Sequence, residues 1–396
     1  MVSVLITEYV LSTYHSSGSM INLMPEAIAM VRSLTKSLMV SEANVGVTVS
    51  SFINPSLRSL LLTSGNVIIV DPRDYLSEIE RISQSFDYVI VIAPPKELVE
   101  TTNAIDGNKL LQPPRDLIRI FSSKYDTIKE LSRCGFKVPK TELIISKYGG
   151  NKNTTQIHSS TIIKPTYSAG SECVYLVNND YELRQALAHV INCDPYGMAV
   201  HQEFINGVHG SISVVYGING PLFYSLNLQL INNTNGSLHF IGGILPIRKV
   251  DLQRKVEELI HDLFNCYPEL RGYIGLDVVW NDDGIYIIEI NPRPTTSIAG
   301  IVSLYPDFGK YLLNVYNMNP AGPVFLGDVV NDYAYYVFYD SDYEKNLGIN
   351  EGIYTEVLSV FQRKLEIGRT KNLFKIYQRI KPLLNNLVYN ISNVLH

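Results

Sequence analysis

Two apolar segments, Gly275-Leu276-Asp277-Val278-Val279-Trp280 and Tyr286-Ile287-Ile288-Glu289-Ile290-Asn291, are separated by little more than the tight-turn sequence Asp282-Asp283-Gly284. This spacing predicts two strands of a hairpin. A three-residue loop ending in glycine is a common connection. It sets Asn281 against Ile285 and, counting outward, Asp277 opposite Glu289, with Asn291 two residues further along on the same face. A four-residue loop would set Asp277 opposite Ile288, so the convergence depends on the register. A single carboxylate near a hairpin is ordinarily a solvated surface group. Three such ligands on strands this apolar are expected to be buried, and a buried carboxylate pair without a counter-ion is costly. Hard oxygen ligands suit Mg²⁺, which often bridges a few protein groups to nucleotide phosphates.

The hairpin and the Pro292-Arg293-Pro294 that follows it resemble the C-terminal metal-binding signature of the ATP-grasp enzymes. Further motifs in the same order extend the resemblance over most of residues 1–330. It implies that Asp277, Glu289 and Asn291 hold two Mg²⁺ ions, with Mn²⁺ able to substitute, against the β- and γ-phosphates of ATP. Arg293 would reach a phosphate or an acyl-phosphate intermediate. Ile162-Ile163-Lys164-Pro165 resembles the strand whose lysine meets the phosphates; a lysine on an apolar strand otherwise lacks a reason, because its charge needs a partner. Thr166-Tyr167-Ser168-Ala169-Gly170-Ser171 follows directly. Alone it would read as an ordinary turn, but small residues let backbone N–H groups close over phosphates, so Ser168, Ala169, Gly170 and Ser171 are expected to form the phosphate lid. Lys124 matches the lysine that opens the ATP-grasp fold and touches phosphate.

Val200-His201-Gln202-Glu203-Phe204-Ile205-Asn206-Gly207 resembles the hinge that receives adenine, with Gln202, Glu203, Phe204 and Ile205 as its nucleotide-facing positions. A hinge backbone satisfies the base edge with one carbonyl and one N–H. Many relatives place a ribose-binding carboxylate two residues after the hinge glycine; this chain has His209 there, whose imidazole can still hydrogen-bond a hydroxyl.

At 396 residues the chain is too long for one simple core. An apolar fraction of 46% and a charged fraction of 18% are those of a globular protein. A net charge of −5 without blocks of like charge gives nucleic acid no electrostatic footing. No apolar run is long enough to span a bilayer, and the first residues look like a β-strand, not a signal peptide. Four widely spaced cysteines form no CxxC pair, so neither a zinc site nor a dithiol motif is indicated, and a reducing cytoplasm is the simplest compartment. Cys173, just after the lid, reads as a small buried hydrophobe.

The expected fold is α/β with α+β lobes. Residues 1–113 form an open, mainly parallel sheet domain, with strands at Val2–Ile6, Val45–Val49, Val67–Val70 and Tyr88–Ile92 and helices at Pro25–Leu38 and Tyr75–Ser83. Gln112-Pro113-Pro114 marks the boundary. Residues 114–190 and 191–330 would be the two ATP-grasp lobes, the second carrying the metal site. Lys147–Ser160 reads as a loop. Residues 331–396 would be a partly helical extension, over Gly352–Ile376 and Tyr377–Val394, with Leu383, Leu384, Leu387 and Val388 as an apolar packing stripe.

The resemblance implies an ATP-dependent ligase that joins a small-molecule carboxylate to an amine through an acyl phosphate, releasing ADP and phosphate. Glu8 ends the first strand, where open α/β sheets face ligands; it would receive a substrate ammonium or, more plainly, cap a helix. Arg248 is suited to bidentate carboxylate binding. Glu8-Tyr9, Gly18, Pro25-Glu26-Ala27-Ile28-Ala29-Met30 and Ile92-Ala93-Pro94-Pro95 resemble the archaeal tyramine–glutamate ligases, although relatives there tend to carry Glu where this chain has Pro95; that likeness would make glutamate the acid. Two alternatives are a carboxylase of the biotin carboxylase type and a nucleotide-binding regulator without catalysis. Neither a nucleic acid nor a membrane partner is expected, and a homodimer would follow family habit.

Overall fold

The computed structural model describes residues 1–14, 20–53, 55–61, 66–145, 157, 159–317, 322–342, 347–348, 350–389 and 391. Gly18, most of the 147–160 stretch and residues 390 and 392–394 of the expected second helical stretch lie outside them. Ser3–Glu8 (β1), Asn44–Ser50 (β2), Asn66–Val70 (β3) and Tyr88–Ile92 (β4) form a four-stranded sheet in the order β3-β2-β1-β4. Every neighbouring pair is parallel. Runs such as Tyr88-Val89-Ile90-Val91-Ile92 are buried on both faces, which is why they read as continuous apolar segments instead of alternating ones. Helices Met24–Val40 and Tyr75–Ser83 pack their apolar residues against this sheet. Glu8 lies at the carboxyl end of β1, paired with Ile92, where the strand order turns back on itself.

The rest of the chain builds a 13-stranded sheet. Its strands are Thr141–Ile145 (β5), Thr161–Pro165 (β6), Tyr175–Val177 (β7), Met198–Glu203 (β8), Val208–Gly217 (β9), Gly220–Thr234 (β10), Ser237–Leu245 (β11), Gly272–Asn281 (β12), Gly284–Asn291 (β13), Val324–Phe325 (β14), Tyr333–Asp340 (β15), Tyr354–Val360 (β16) and Arg363–Thr370 (β17). The main path runs β13-β12-β9-β10-β11-β7-β6-β8-β5. One side of β9, β10 and β12 carries Ile212, Val214, Leu226, Leu228 and Ile274, packed with Val256, Ile260 and Leu263 of the helix Val250–Cys266. The opposite side alternates polar residues, including Ser211, Ser213, Asn227 and Gln229.

The C-terminal extension departs from the expected helices. Residues 354–370 form a β-hairpin, and β17 pairs with β15, which pairs with β11. Leu358, Val360, Leu365 and Ile367 are buried along it, a period-two pattern hidden by interspersed Arg, Lys and Glu. One helix follows, Leu373–Ile380. It is fastened by Arg379, which donates from Nε and Nη2 to the two oxygens of buried Glu366 at 2.9 and 2.7 Å, while Tyr335 and Tyr339 donate to the same carboxylate. This bidentate contact holds Glu366 below its usual carboxylate range despite burial. Leu383, Leu384 and Leu387 pack on the second core as the sequence led one to expect, but from a turn and not from a helix stripe.

The cysteines are paired, Cys134 with Cys266 and Cys173 with Cys193. This corrects the picture of unlinked thiols, and Cys173 is half-buried in a cross-link instead of filling a core position. No helix among the described residues is long and apolar enough to cross a membrane.

Gly242 shows how tightly the sheet fixes one position. The β10–β11 register slips at Leu230/Ile231, a bulge, and Gly242 adopts φ +142°, where a β-carbon would fall against the Tyr336 carbonyl of β15. Any side chain there meets both strain and backbone. Gly242→Ala is expected to cost about 2–4 kcal/mol of stability, read as a lowered thermal midpoint. Gly107→Ala, whose new carbon would meet only the end of Arg115 at 3.9 Å, should stay within about 0.5 kcal/mol of the parent. Equal midpoints for the two variants would remove this account of the bulge.

Candidate functional site

The hairpin β12–β13 sets Asp277 opposite Glu289 and Gly275 opposite Asn291. The route differs from the expected one. Asn281 faces Gly284 across a two-residue turn, and a bulge between Asp277 and Val278 takes up Ile288 as the extra residue. The shorter turn and the bulge cancel, so the carboxylates meet in the anticipated register. Asn291 Nδ2 donates to Asp277 Oδ2 at 3.3 Å, and Gln229 Nε2 on β10 donates to Asp277 Oδ1 at 2.7 Å. Lys124 Nζ lies 3.3 Å from Glu289 Oε1 and donates to the Ser168 carbonyl at 2.7 Å.

Burial, followed by the neighbouring Glu289, raises the Asp277 carboxyl to about 7, against the pull of Gln229, Lys124 and Lys164. Burial lowers Lys164 to about 8, although Glu289 favours its charge. Two enclosed carboxylates and an amide oxygen, held together by an Asp whose ionised form is under-compensated, fit a divalent cation with oxygen ligands. Lys164 stands on buried β6 and Lys124 opens the helix Lys124–Arg133, whose first residues are capped by Ser123. Backbone bonding from Lys124 N to Thr166 O, at 3.1 Å, ties that helix to the lid. In the lid, Gly170 and Ser171 have positive φ, and Asp194 anchors its start by accepting from Tyr167 N at 2.9 Å.

One cavity is lined by Lys124, Lys164, Ser168, Ala169, Gly170, Ser171, Gln202, Glu203, Phe204, Ile205, His209, Asp277, Glu289, Asn291 and Arg293. These came from segments spread over 170 positions of sequence. At the hinge, Glu203 exchanges bonds with Lys140: its N–H donates to Lys140 O at 2.9 Å and its Oε2 accepts from Lys140 N at 3.2 Å. Gln202 is buried and donates from Nε2 to Thr141 Oγ1 at 3.0 Å.

Two expected residues lie elsewhere. Arg248 points away from the cavity, donates to the carbonyls of Gly327, Val330 and Asp332, and lies 4.4 Å over the Tyr333 ring. Its Nε and Nη2 donors are spent on backbone, so it holds the chain around residues 327–333. Glu8 is buried and caps the helical turn Tyr9–Ser12 by accepting from Leu11 N at 2.7 Å. Its charge still faces Arg293 and Glu26. Sequence reasoning passed over Glu26, Gln229, Phe240, Thr296 and Tyr336, which also line the cavity. The alternation Ser225-Leu226-Asn227-Leu228-Gln229-Leu230 was a usable signal for Gln229. Glu26, in the first turn of its helix, carried none beyond its position. Its one hydrogen bond among the described residues comes from Thr296 at 3.5 Å, and burial raises its carboxyl while Arg363 and Arg293 oppose.

Comparison with known proteins agrees with this geometry. Residues 121–297 match the family model of the ATP-grasp domain. Tyramine–L-glutamate ligase of Methanocaldococcus jannaschii is 31% identical over 228 residues, 55% of this chain and 59% of that protein. The chain thus spans about three fifths of that relative's length. An ATP-grasp superfamily protein of Archaeoglobus fulgidus superposes with TM-score 0.62 at 21% identity, covering 93% of this chain and 99% of that one. The biotin carboxylase domain of Hydrogenobacter thermophilus 2-oxoglutarate carboxylase, in complex with MgADP and bicarbonate, gives TM-score 0.70 at 12% identity, covering 99% and 92%. At such identities these two structures report the shared fold.

Glu8 yields a pH test. Burial raises its carboxyl to about 7 from an ordinary 4.5, although Leu11 and Val10 N–H groups oppose. Folding therefore favours the protonated form: its contribution is fully present below about 4.5 and is lost as pH rises through 7. The penalty is on the order of 3 kcal/mol. Glu8→Gln keeps an acceptor for Leu11 N and removes the charge. Its melting point should exceed the parent's by several degrees at pH 8 and match it at pH 4.5; a gap independent of pH would contradict the assignment.

Proposed function

We propose, from the ATP-grasp domain that this chain carries at residues 121–297, that it is an ATP-dependent ligase joining a carboxylate to an amine and releasing ADP and phosphate. The observation that carries this reading is the meeting of Lys124, Lys164, Arg293 and the Asp277/Glu289/Asn291 trio in one cavity that Gln202–Ile205 also line. Phosphoryl transfer asks a protein mainly for alignment and charge neutralisation, and these groups offer both. Lys124 and Lys164 would hold the nucleotide phosphates and the lid backbone would close over them. Asp277, Glu289 and Asn291 would hold Mg²⁺, which when bound supplies further neutralisation of phosphate charge.

In the first step a carboxylate oxygen of the acid substrate attacks the γ-phosphorus and the bond to the ADP oxygen breaks. In the second the amine nitrogen attacks the acyl carbon, phosphate leaves with the bonding pair, and the amine loses a proton. Arg293, half-buried and facing the charges of Glu26, Glu289, Asp277 and Glu8, would steady the transferred phosphoryl group. Glu26 lines the cavity together with Phe240 and Tyr336. An anion beside aromatic walls suits a primary amine with an apolar or aryl body, and the ammonium would relieve the cost of enclosing Glu26. Tyramine, one of the two substrates in the name of the M. jannaschii relative, meets that description, and glutamate, the other, would be the acid. ATP dependence puts the reaction in the cytoplasm; the two disulfides, which such a compartment seldom preserves, are the feature that stands against it. The domain division at 113, 190 and 330 and a homodimeric state belong to this same proposal.

A carboxylase reading rests on the likeness to biotin carboxylase structures. The segment after Asn291, Pro292-Arg293-Pro294-Thr295-Thr296-Ser297, instead of a longer Arg-x-Gln-Val-Glu-His stretch, speaks against it.

The decisive experiment is Mg²⁺-dependent ADP release across a matrix of amino acids and amines, with glutamate plus tyramine as one cell and bicarbonate as another. Release in an acid-plus-amine cell with a product of the condensed mass is expected. Bicarbonate-dependent release would sink the ligase reading in favour of carboxylation. Glu289→Gln should then lower turnover by at least about 10²–10³-fold; near-normal turnover would remove the metal assignment.

A further inference from the structure

After the helix Leu373–Ile380 the chain runs back to β10. It turns at Lys381–Leu383 and runs beside the end of β10: Asn233 N donates to Asn386 O at 2.7 Å, Val388 N donates to Ile231 O at 3.0 Å, and Leu387 bridges Asn232 in antiparallel fashion. Asn232 Nδ2 adds a bond to Leu383 O at 2.9 Å. These contacts set Tyr389 against His209 and Gln229, two residues of the cavity lining. Its hydroxyl donates to the Gln229 carbonyl, and its ring stacks on the His209 imidazole, with centroids 5.6 Å apart and planes 24° from parallel. The other neighbour of His209 is Phe204, at 6.3 Å and 27°. Phe204, His209 and Gln229 all line the cavity.

His209 itself is unfinished. Its Nε2 is buried and has no hydrogen-bond partner, and burial holds the imidazole neutral, with a value near 4. A neutral imidazole has one donor nitrogen and one acceptor, and a buried polar atom without a partner is a site waiting for one. The position of the ring fits a particular partner. It stands beside the hinge, while Lys124 and Lys164 mark the phosphate end. Between the base and the phosphates of any nucleotide lies a sugar with two hydroxyls, each both donor and acceptor.

We propose that the C-terminal segment Leu383–Tyr389 backs the nucleotide site from behind its lining, with Tyr389 as a positioning residue that clamps His209 so that its imidazole meets the sugar hydroxyls. This rests on the reading of the cavity as a nucleotide site. An imidazole on a strand has two rotatable side-chain bonds, and stacking it between Phe204 and Tyr389 settles its orientation before a ligand arrives, lowering the ordering cost of binding. The segment thereby ties nucleotide recognition to residues far in sequence from the family-matched residues 121–297.

The test is calorimetric binding of ATP and of 2′,3′-dideoxy-ATP, with Mg²⁺, to the full chain and to Tyr389→Ala and Tyr389→Phe. The parent should favour ATP over the dideoxy compound. Tyr389→Ala should weaken ATP by about five- to tenfold, the scale of one aromatic stacking partner, while leaving the dideoxy affinity nearly unchanged, so the preference collapses. Tyr389→Phe keeps the ring and should keep the preference. Because the ratio compares two ligands on the same folded molecules, partial unfolding of a variant does not imitate this result. A parent preference that survives in Tyr389→Ala, or a parent with no preference, overturns the proposal. Failure of the parent to bind either nucleotide overturns the nucleotide reading on which it rests.

Discussion

Two carboxylates set opposite each other on adjacent strands repel, and enclosing them makes the repulsion worse. Asp277 and Glu289 are held in that arrangement by the β12–β13 register, and most of the site can be understood as what this placement demands. Neither strand supplies a cation. Lys124 arrives from a helix start and Lys164 from β6 across the cavity. Lys164 is itself disfavoured in its charged form by burial, so each sign depends on the other. Gln229 from β10 spends its amide on Asp277, and the polar row behind it, Ser211, Ser213 and Asn227, is closed by its own hydrogen bonds. The long strands β9 and β10 thus carry an apolar side that makes the core and a polar side that holds the charged hairpin in place.

What was legible in the sequence follows from which forces are local. The parallel sheet was visible because strands buried on both faces must be continuously apolar. The carboxylate trio was visible because period-two geometry ties residues on one strand to residues on the next. The detail of that pairing was not: a two-residue turn and a bulge at Ile288 reached the same register that a three-residue turn would have, and composition alone does not distinguish them. Arg248 failed for a different reason. A guanidinium binds carbonyl oxygens as readily as carboxylates, and the loop that supplies Gly327, Val330 and Asp332 is some eighty residues away in sequence. The cysteine pairs are equally non-local, since only the folded chain brings residues 134 and 266 to an α-carbon separation of 6.2 Å.

The C-terminal extension was the least readable part, and its structure explains why. A hairpin whose buried residues are interleaved with Arg, Lys and Glu imitates an amphipathic helix over short windows. Its place in the molecule is set by one buried ion pair, Glu366 with Arg379, which two tyrosine hydroxyls complete. Such a pair contributes less to net stability than to choosing a single docking geometry, because any misplacement leaves a charge enclosed without its partner. Fixed in this way, β17 extends the sheet through β15 to β11, and the chain leaves the helix Leu373–Ile380 already aimed along β10.

That aim links the extension to the charge problem at the centre. β10 carries Gln229, which bonds Asp277 through its side chain and accepts from Tyr389 through its carbonyl. The strand is therefore held at one residue by two partners, the β12–β13 hairpin and the segment that carries Tyr389. A shift of β10 by one residue would turn Gln229 to the apolar face, leave Asp277 without its donor and carry the Tyr389 acceptor away from His209. The carboxylate pair, the hinge rings and the last described strand partner consequently share a single register, and the cavity keeps its shape only while all three agree.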